Sequence, residues 1–329
     1  MKVLLIYRNP AMGISIGKTY SQIQQELGKK CDVEDLYLPS KDYKISSLIE
    51  NIRIVNSKLH ENNYDIVHIT GSEHYLIPFL KHKRIIVTVH DFGFYTQRKK
   101  SISLLLKNLL WIQTLRFAKC VICISNKTKM EAKKLAHIND DRLKIVYEPV
   151  GKEFKFSQKN IEYEHPVILQ VGTRPHKNME LVAKAISRSK YRLRIIGDLT
   201  EEQNTYLESL QIDYSSVSNI TDSELVEEYQ KCDLVCFVSK HEGFGMITLE
   251  AQATGRPVIT SNIEPMIEVA GESAIHVDPY SVDDIKNGIE EIMENYNRYV
   301  DLGCRNVKRF SMEKAAEEIF VLYKQLLTD

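Results

Sequence analysis

A chain of 329 residues has room for two domains, each able to bury a core of its own. Its 44 Lys and Arg equal its 44 Asp and Glu, which leaves no electrostatic case for a nucleic-acid partner. Hydrophobic residues at 43% and charged residues at 27% are ordinary globular proportions, and no apolar run approaches the roughly eighteen residues of a membrane span.

The first strand is KVLLIY (2–7), too short for a secretory signal and stopped by Arg8. Helical patterns follow at 15–30 and 46–62, then apolar strand runs at 64–70 and 84–90. The run 103–120 reads as an apolar helix behind Arg98, Lys99 and Lys100. A helix buried in the fold and a peripheral membrane contact through 98–120 are the two readings of that patch. Strands return at 120–125 and 143–147. Cys120 and Cys123 form C-x-x-C inside the apolar CVICIS run and read as buried structural thiols. With Cys31, Cys232, Cys236 and Cys304 they make no disulfide framework, so a reducing, cytoplasmic setting is expected.

The segment 149–165, between Pro149 and Pro166 and containing Gly151, reads as a linker. Beyond it, strands at 166–171, 193–197, 233–239, 257–260 and 274–277 repeat the scheme. Thr221 and Glu224 form a capping box ahead of a helix. From Ser311 onward, Met312, Ala315, Ala316, Ile319, Phe320, Tyr323 and Leu326 recur at helical spacing, which predicts a helix with one apolar face. Strands alternating with helices, with apolar runs long enough to be covered on both faces, predict two doubly wound α/β halves. A ligand crevice is expected at the carboxyl ends of their strands, between the halves.

Chemistry concentrates at 239–250. The strand 233–239 hands over to a helix that begins near Met246 and ends at Gly255 and Pro257. Gly243 and Gly245 let a ligand approach the backbone, and the first helical amides suit a phosphate or diphosphate. Glu250 lies roughly 7 Å along that helix, within reach of ribose hydroxyls. In VGTRPHKN (171–178) a strand ends at Gly172, and Arg174 and Lys177 precede a helix. They are either solvated surface cations or a fork and a point charge for a diphosphate. His90 and Asp91 end another strand, where the imidazole either bonds its own loop or faces a ligand. Ser125 is a helix cap or part of an S-x-x-T turn with Thr128. Gly13 to Thr19 is one residue short of a phosphate-binding P-loop, and with the strand ending at Asp91 it offers a P-loop-like NTPase as a rival reading. No His, Asp, Glu or Cys cluster has metal spacing, so neither a metal nor a cofactor is expected.

The ordered series HEGFG (241–245), LEA (249–251), G-x-PVI (255–259) and EVAGESAIHVDP (268–279), with Glu242 and Glu250 eight apart, resembles the retaining glycosyltransferases of GT-B fold. The resemblance is strong over 166–280 and weaker before 150. It implies two Rossmann-like domains facing across a cleft: an acceptor-side domain at 1–150, a nucleotide-sugar-binding domain at 151–310, and a helix at 311–329 that crosses back to the first. It implies transfer of a hexosyl-type sugar from a UDP- or GDP-sugar to an acceptor hydroxyl, in polysaccharide or glycolipid synthesis. In the roles it implies, Glu242 supports the transferred sugar, His90 stands near it, and Arg174 and Lys177 neutralise the diphosphate. Gly13, Gly172, Gly243, Phe244, Gly245 and Met246 border the donor, Ile220 holds the base through its backbone, and Glu250 holds the ribose. The acceptor is a glycan or lipid-linked glycan, met in the cytoplasm or at the inner face of the membrane. A nucleotide-sugar-binding module without catalysis is the other rival.

Overall fold

The computed structural model describes residues 1–13, 15–96 and 102–328. The chain divides into two compact units, Met1–Pro149 with Met312–Asp329, and Val150–Ser311. The first unit holds β1 (Lys2–Tyr7), β2 (Asp32–Tyr37), β3 (Ile66–Ile69), β4 (Ile85–Val89), β5 (Cys120–Cys123) and β6 (Leu143–Ile145). They form one parallel sheet in the order β2-β1-β3-β4-β5-β6. Alternation along β1 feeds both faces. Val3, Leu5 and Tyr7 pack with Tyr20, Ile23 and Leu27 of the helix Ser15–Leu27, and with Ala316, Ile319 and Tyr323 of the C-terminal helix Met312–Thr328. Leu4 and Ile6 share the other face with Val55 of the helix Ile45–Glu61 and with Ile112 and Leu115. Each such fully buried aliphatic side chain contributes about 1.5–3 kcal/mol.

A polar chain crosses the first of these faces. Tyr323 Oη lies 2.7 Å from His68 Nδ1, His68 Nε2 lies 2.9 Å from Thr88 Oγ1, and Thr88 meets the Tyr20 hydroxyl. Burial depresses His68 to about 3, so the imidazole is neutral and offers one donor and one acceptor. The chain thereby fixes how the C-terminal helix sits on β3 and β4.

The second unit holds β7 (Val167–Val171), β8 (Arg192–Ile196), β9 (Asp213–Val217), β10 (Leu234–Phe237), β11 (Val258–Ser261) and β12 (Ile275–Val277). They too are parallel, in the order β12-β11-β10-β7-β8-β9. In each sheet the chain reverses direction beside its first strand, between β1 and β3 and between β7 and β10. Open α/β sheets place ligands outside the carboxyl ends of the strands at such points.

Two strands, β2 (DVEDLY) and β9 (DYSSV), fall where no strand is expected from the sequence. Both are edge strands and carry charge or hydroxyls, so no continuous apolar run betrays them. The expected helix at 103–120 is helical from Ile102 to Phe117, but it loosens into a π turn over Asn108–Ile112 and tightens into a 3₁₀ turn over Gln113–Phe117. Leu105, Leu106, Leu109 and Phe117 are exposed while Ile112 and Leu115 are buried. The basic residues Arg98, Lys99 and Lys100 lie outside the described residues.

Candidate active site

At the switch point of the second unit the loops after β7 and β10 are tied together. Lys177 Nζ and Glu242 Oε1 form an ion pair of 2.7 Å, with both side chains under a fifth exposed. The ammonium also lies 5.1 Å above the ring of Phe237. The Lys240 amide donates to the His176 carbonyl at 2.8 Å. Buried Asn178, in the left-handed conformation at φ 62°, donates from Nδ2 to the carbonyls of Val238 (3.1 Å) and Pro279 (2.6 Å). Gln170 Nε2 donates to the carbonyls of Gly172 and Lys177. Lys177 and Glu242 are therefore held by backbone anchors on both sides. Gly172, at φ +92°, leaves the space that the Lys177 stem occupies.

Glu242 and Gly243 lead through Phe244 and Gly245 into the helix Met246–Ala253. Gly245 adopts φ 112°, a conformation L side chains rarely take, and as the N-cap it supplies no side-chain bond to this helix. Phe244 is 4% exposed and packs edge-on against Phe310 at 5.9 Å, so a ligand can meet only its backbone. Half-buried Met246 begins the first helical turn. Further along the helix, Glu250 Oε2 accepts a 2.7 Å bond from the hydroxyl of fully buried Tyr229. Burial, then the neighbouring Glu250, pushes the Tyr229 phenol well up, which keeps it a donor. Arg174 is exposed at the start of the short turn Pro175–Lys177, and half-buried Ile220 precedes the helix Asp222–Lys231. That helix carries both bonds of the Thr221–Glu224 capping box.

The carboxyl ends of the first sheet carry different groups. Gly13 (φ 136°) follows a tight turn, and a Cβ there would collide with the Arg8 guanidinium, whose Nε donates to the Gly13 carbonyl at 3.2 Å. Gly17, Lys18 and Thr19 lie in the first turns of the helix Ser15–Leu27, and Thr19 Oγ1 donates to the Ser15 carbonyl, so this near-match to a P-loop is helix rather than a wrapping loop. His90 Nε2 donates to the Thr70 carbonyl at 2.9 Å, and Nδ1 faces Glu148 Oε1 at 3.6 Å. Burial opposes the imidazolium, but Glu148 outweighs it and His90 is raised overall. Ser125 caps the helix Asn126–Ala136 through the Thr128 amide. Glu73, 2% exposed after β3, is pushed up to about 7 by burial, an effect that Arg8, Ser72 and Tyr43 only partly offset.

Glu148, Glu73, Arg8 and Tyr229 are absent from the sequence-derived site. Arg8 and Glu73 were findable, because each lies just beyond a strand at the switch point. Tyr229 and Glu148 leave no such signal, since only tertiary contact brings them to Glu250 and His90. All six cysteines are free, and burial lifts the Cys120 and Cys123 thiols to about 12. Among the described residues no group of three or more His, Cys, Asp or Glu is placed to hold a metal ion, and no helix is long and apolar enough to cross a membrane.

The family model of glycosyl transferases group 1 matches residues 151–309, and that of glycosyltransferase family 4 matches residues 24–154. An uncharacterized glycosyltransferase of Methanocaldococcus jannaschii is 24% identical over 94% of this chain and 89% of its own length. The O-antigen chain mannosyltransferase RfbU of Salmonella typhimurium is 26% identical over 69% of this chain and 67% of its own. In fold, the chain is similar to sucrose-phosphate synthase of Thermosynechococcus elongatus, with TM-score 0.80, 17% identity, and coverage of 100% of this chain and 99% of that one. It is also similar to Anabaena HepE, solved with UDP and glucose, with TM-score 0.74, 16% identity, and coverage of 99% and 100%.

Proposed function

We propose, for a chain that belongs to the GT-B-fold glycosyltransferases, a retaining, metal-independent transfer of a hexosyl-type sugar from a UDP- or GDP-sugar to an acceptor hydroxyl. The observation that carries this reading is the Lys177–Glu242 pair, 2.7 Å apart beside a helix whose N-cap is Gly245, with Glu250 held farther along the same helix.

In this reading the donor diphosphate lies against the amides of Gly243 to Met246, and Glu250 accepts from its ribose hydroxyls. Ile220 meets the base through its backbone, and Gly172 lets Lys177 lie close to the strand end. The bond from the anomeric carbon to the diphosphate oxygen breaks. The acceptor oxygen bonds to that carbon on the same face, and its proton passes to the departing diphosphate. Lys177 and Arg174 neutralise the charge that develops on the leaving group, which is the support for a metal-free reaction. Glu242 orients sugar hydroxyls and stabilises positive charge at the anomeric carbon without bonding to it.

The first unit takes the acceptor. Relatives that include an O-antigen chain mannosyltransferase favour a cell-surface glycan or lipid-linked acceptor. The exposed leucines and Phe117 of the helical stretch 102–117 support a peripheral membrane contact.

Slow hydrolysis of UDP-glucose or GDP-mannose, with water as acceptor and EDTA present, tests the reading without an identified acceptor. The hexose first released should carry the donor's anomeric configuration by proton NMR. Inversion, or strict dependence on a divalent cation, would overturn it.

A further inference from the structure

Three neighbouring strands of the first unit are each entered through a cation. Arg84 precedes β4, Lys119 precedes β5 and Arg142 precedes β6, and Lys83 stands beside Arg84. The strands are parallel, with Ile86 opposite Cys120 and Val121 opposite Leu143, so these cations gather at the amino edge of the sheet. Arg8, Glu73 and His90 occupy the carboxyl edge. Together with Leu326 of the C-terminal helix, the four cations line a cavity of about 770 Å³.

The two arginines are half-buried and already oriented. Arg84 Nε donates to the Leu326 carbonyl at 2.8 Å, and Arg142 Nη1 donates to the carbonyls of Arg116 (2.8 Å) and Ala118 (3.2 Å). Carbonyls fix a guanidinium without cancelling its charge. Lys83 and Lys119 are exposed at the rim. Among the described residues, no carboxylate lines the cavity and none forms an ion pair with any of the four. Four like charges around one cavity repel one another, and an anion placed among them removes that repulsion. Oriented guanidinium forks match the oxygens of a phosphate, and the lysines add mobile point charges.

We propose that this cavity is a second anion site, separate from the donor site, that takes a phosphate group. The phosphate belongs either to a soluble phosphorylated ligand or to a lipid headgroup. Exposed Phe79 and Phe117, in the segments leading to Lys83 and Lys119, are the reason to test a membrane source.

Inorganic phosphate is titrated by calorimetry against the full chain and against the rim variant Lys83→Ala/Lys119→Ala and the floor variant Arg84→Gln/Arg142→Gln. The rim variant keeps the test decisive should the floor variant fail to fold. Any phosphate taken by the donor site is common to all three. Wild type should bind more tightly than the rim variant by roughly tenfold or more, and the difference should shrink as salt is raised. In parallel, each protein is sedimented with vesicles of phosphatidylcholine, with and without phosphatidylglycerol. Sedimentation that needs phosphatidylglycerol and is lost in the variants assigns the phosphate to a lipid headgroup. Phosphate binding lost in the variants, with no vesicle binding by wild type, assigns it to a soluble ligand. Variants that match wild type in both arms overturn the site.

Discussion

The two units share an architecture: six parallel strands that reverse direction beside the first, between β1 and β3 or between β7 and β10. Their strand ends differ in kind. In the second unit, Lys177 and Glu242 pair where solvent still reaches them, and Glu250 is steadied by Tyr229 from below. In the first, the titratable groups are sunk among neighbours: His68 and Glu73 are buried, and His90 has both ring nitrogens engaged. A common fold therefore does not share out the chemistry evenly. The second unit's strand ends keep a charged pair within reach of solvent, while buried neighbours hold Glu73 and His90 in the first.

The largest break in that contrast should come from Glu242→Gln. Removing the carboxylate charge but keeping its shape is expected to lower kcat by about 10²- to 10³-fold, with donor affinity changed far less. Initial rates and donor titration separate the two. A rate within a factor of about three of wild type would show that the second unit's carboxylate is only structural.

Asn178→Ala attacks the anchor rather than the chemistry. It strands the carbonyls of Val238 and Pro279 and leaves alanine at φ 62°, which should cost roughly 2–4 kcal/mol in urea unfolding. An unchanged midpoint would mean that the loop bearing Lys177 is held by something else.

The first unit should respond to pH instead. Burial raises Glu73 from its ordinary 4.5 to about 7, so folding favours the protonated carboxyl. Its contribution is fully present below 4.5 and is lost as pH rises through about 7. Glu73→Gln imitates the protonated form, so it should melt like wild type below pH 4.5, increasingly above wild type as the pH rises to about 7, and by a constant margin beyond. A variant that melts lower at every pH would mean that the carboxylate itself is needed.

The smallest expected effect is Tyr229→Phe, which removes one hydrogen bond to Glu250. Donor KM should rise by several-fold, in line with about 1 kcal/mol, while kcat stays close to wild type. An equal fall in kcat would place Glu250 in the chemistry rather than in binding.

Much of this was legible in the sequence because buried parallel strands write themselves as apolar runs. The segments 2–7, 84–90 and 233–239 each hold a strand core that is wholly or almost wholly buried. β2 and β9 leave no such mark for the complementary reason, as edge strands need no apolar run. At the candidate site, Lys177 and Glu242 were visible as groups at strand exits, but their 2.7 Å pairing was not, being set by loops 65 residues apart in the chain. Glu148 and Tyr229 were invisible for the same reason. A single glutamate or tyrosine carries no code for the histidine or carboxylate it will meet.

In the proposed function the second unit holds the nucleoside diphosphate sugar through Glu250 and the helix that bears it. The most direct test is the melting of wild type and Glu250→Ala with UDP-, GDP-, ADP- and TDP-sugars in EDTA. A donor at many times its Kd should add about 2–4 kcal/mol to wild-type stability; one base should give this shift, and Glu250→Ala should lose it. A shift seen only with magnesium and ATP, kept in Glu250→Ala and lost in Lys18→Ala, would make the chain a P-loop-like NTPase instead.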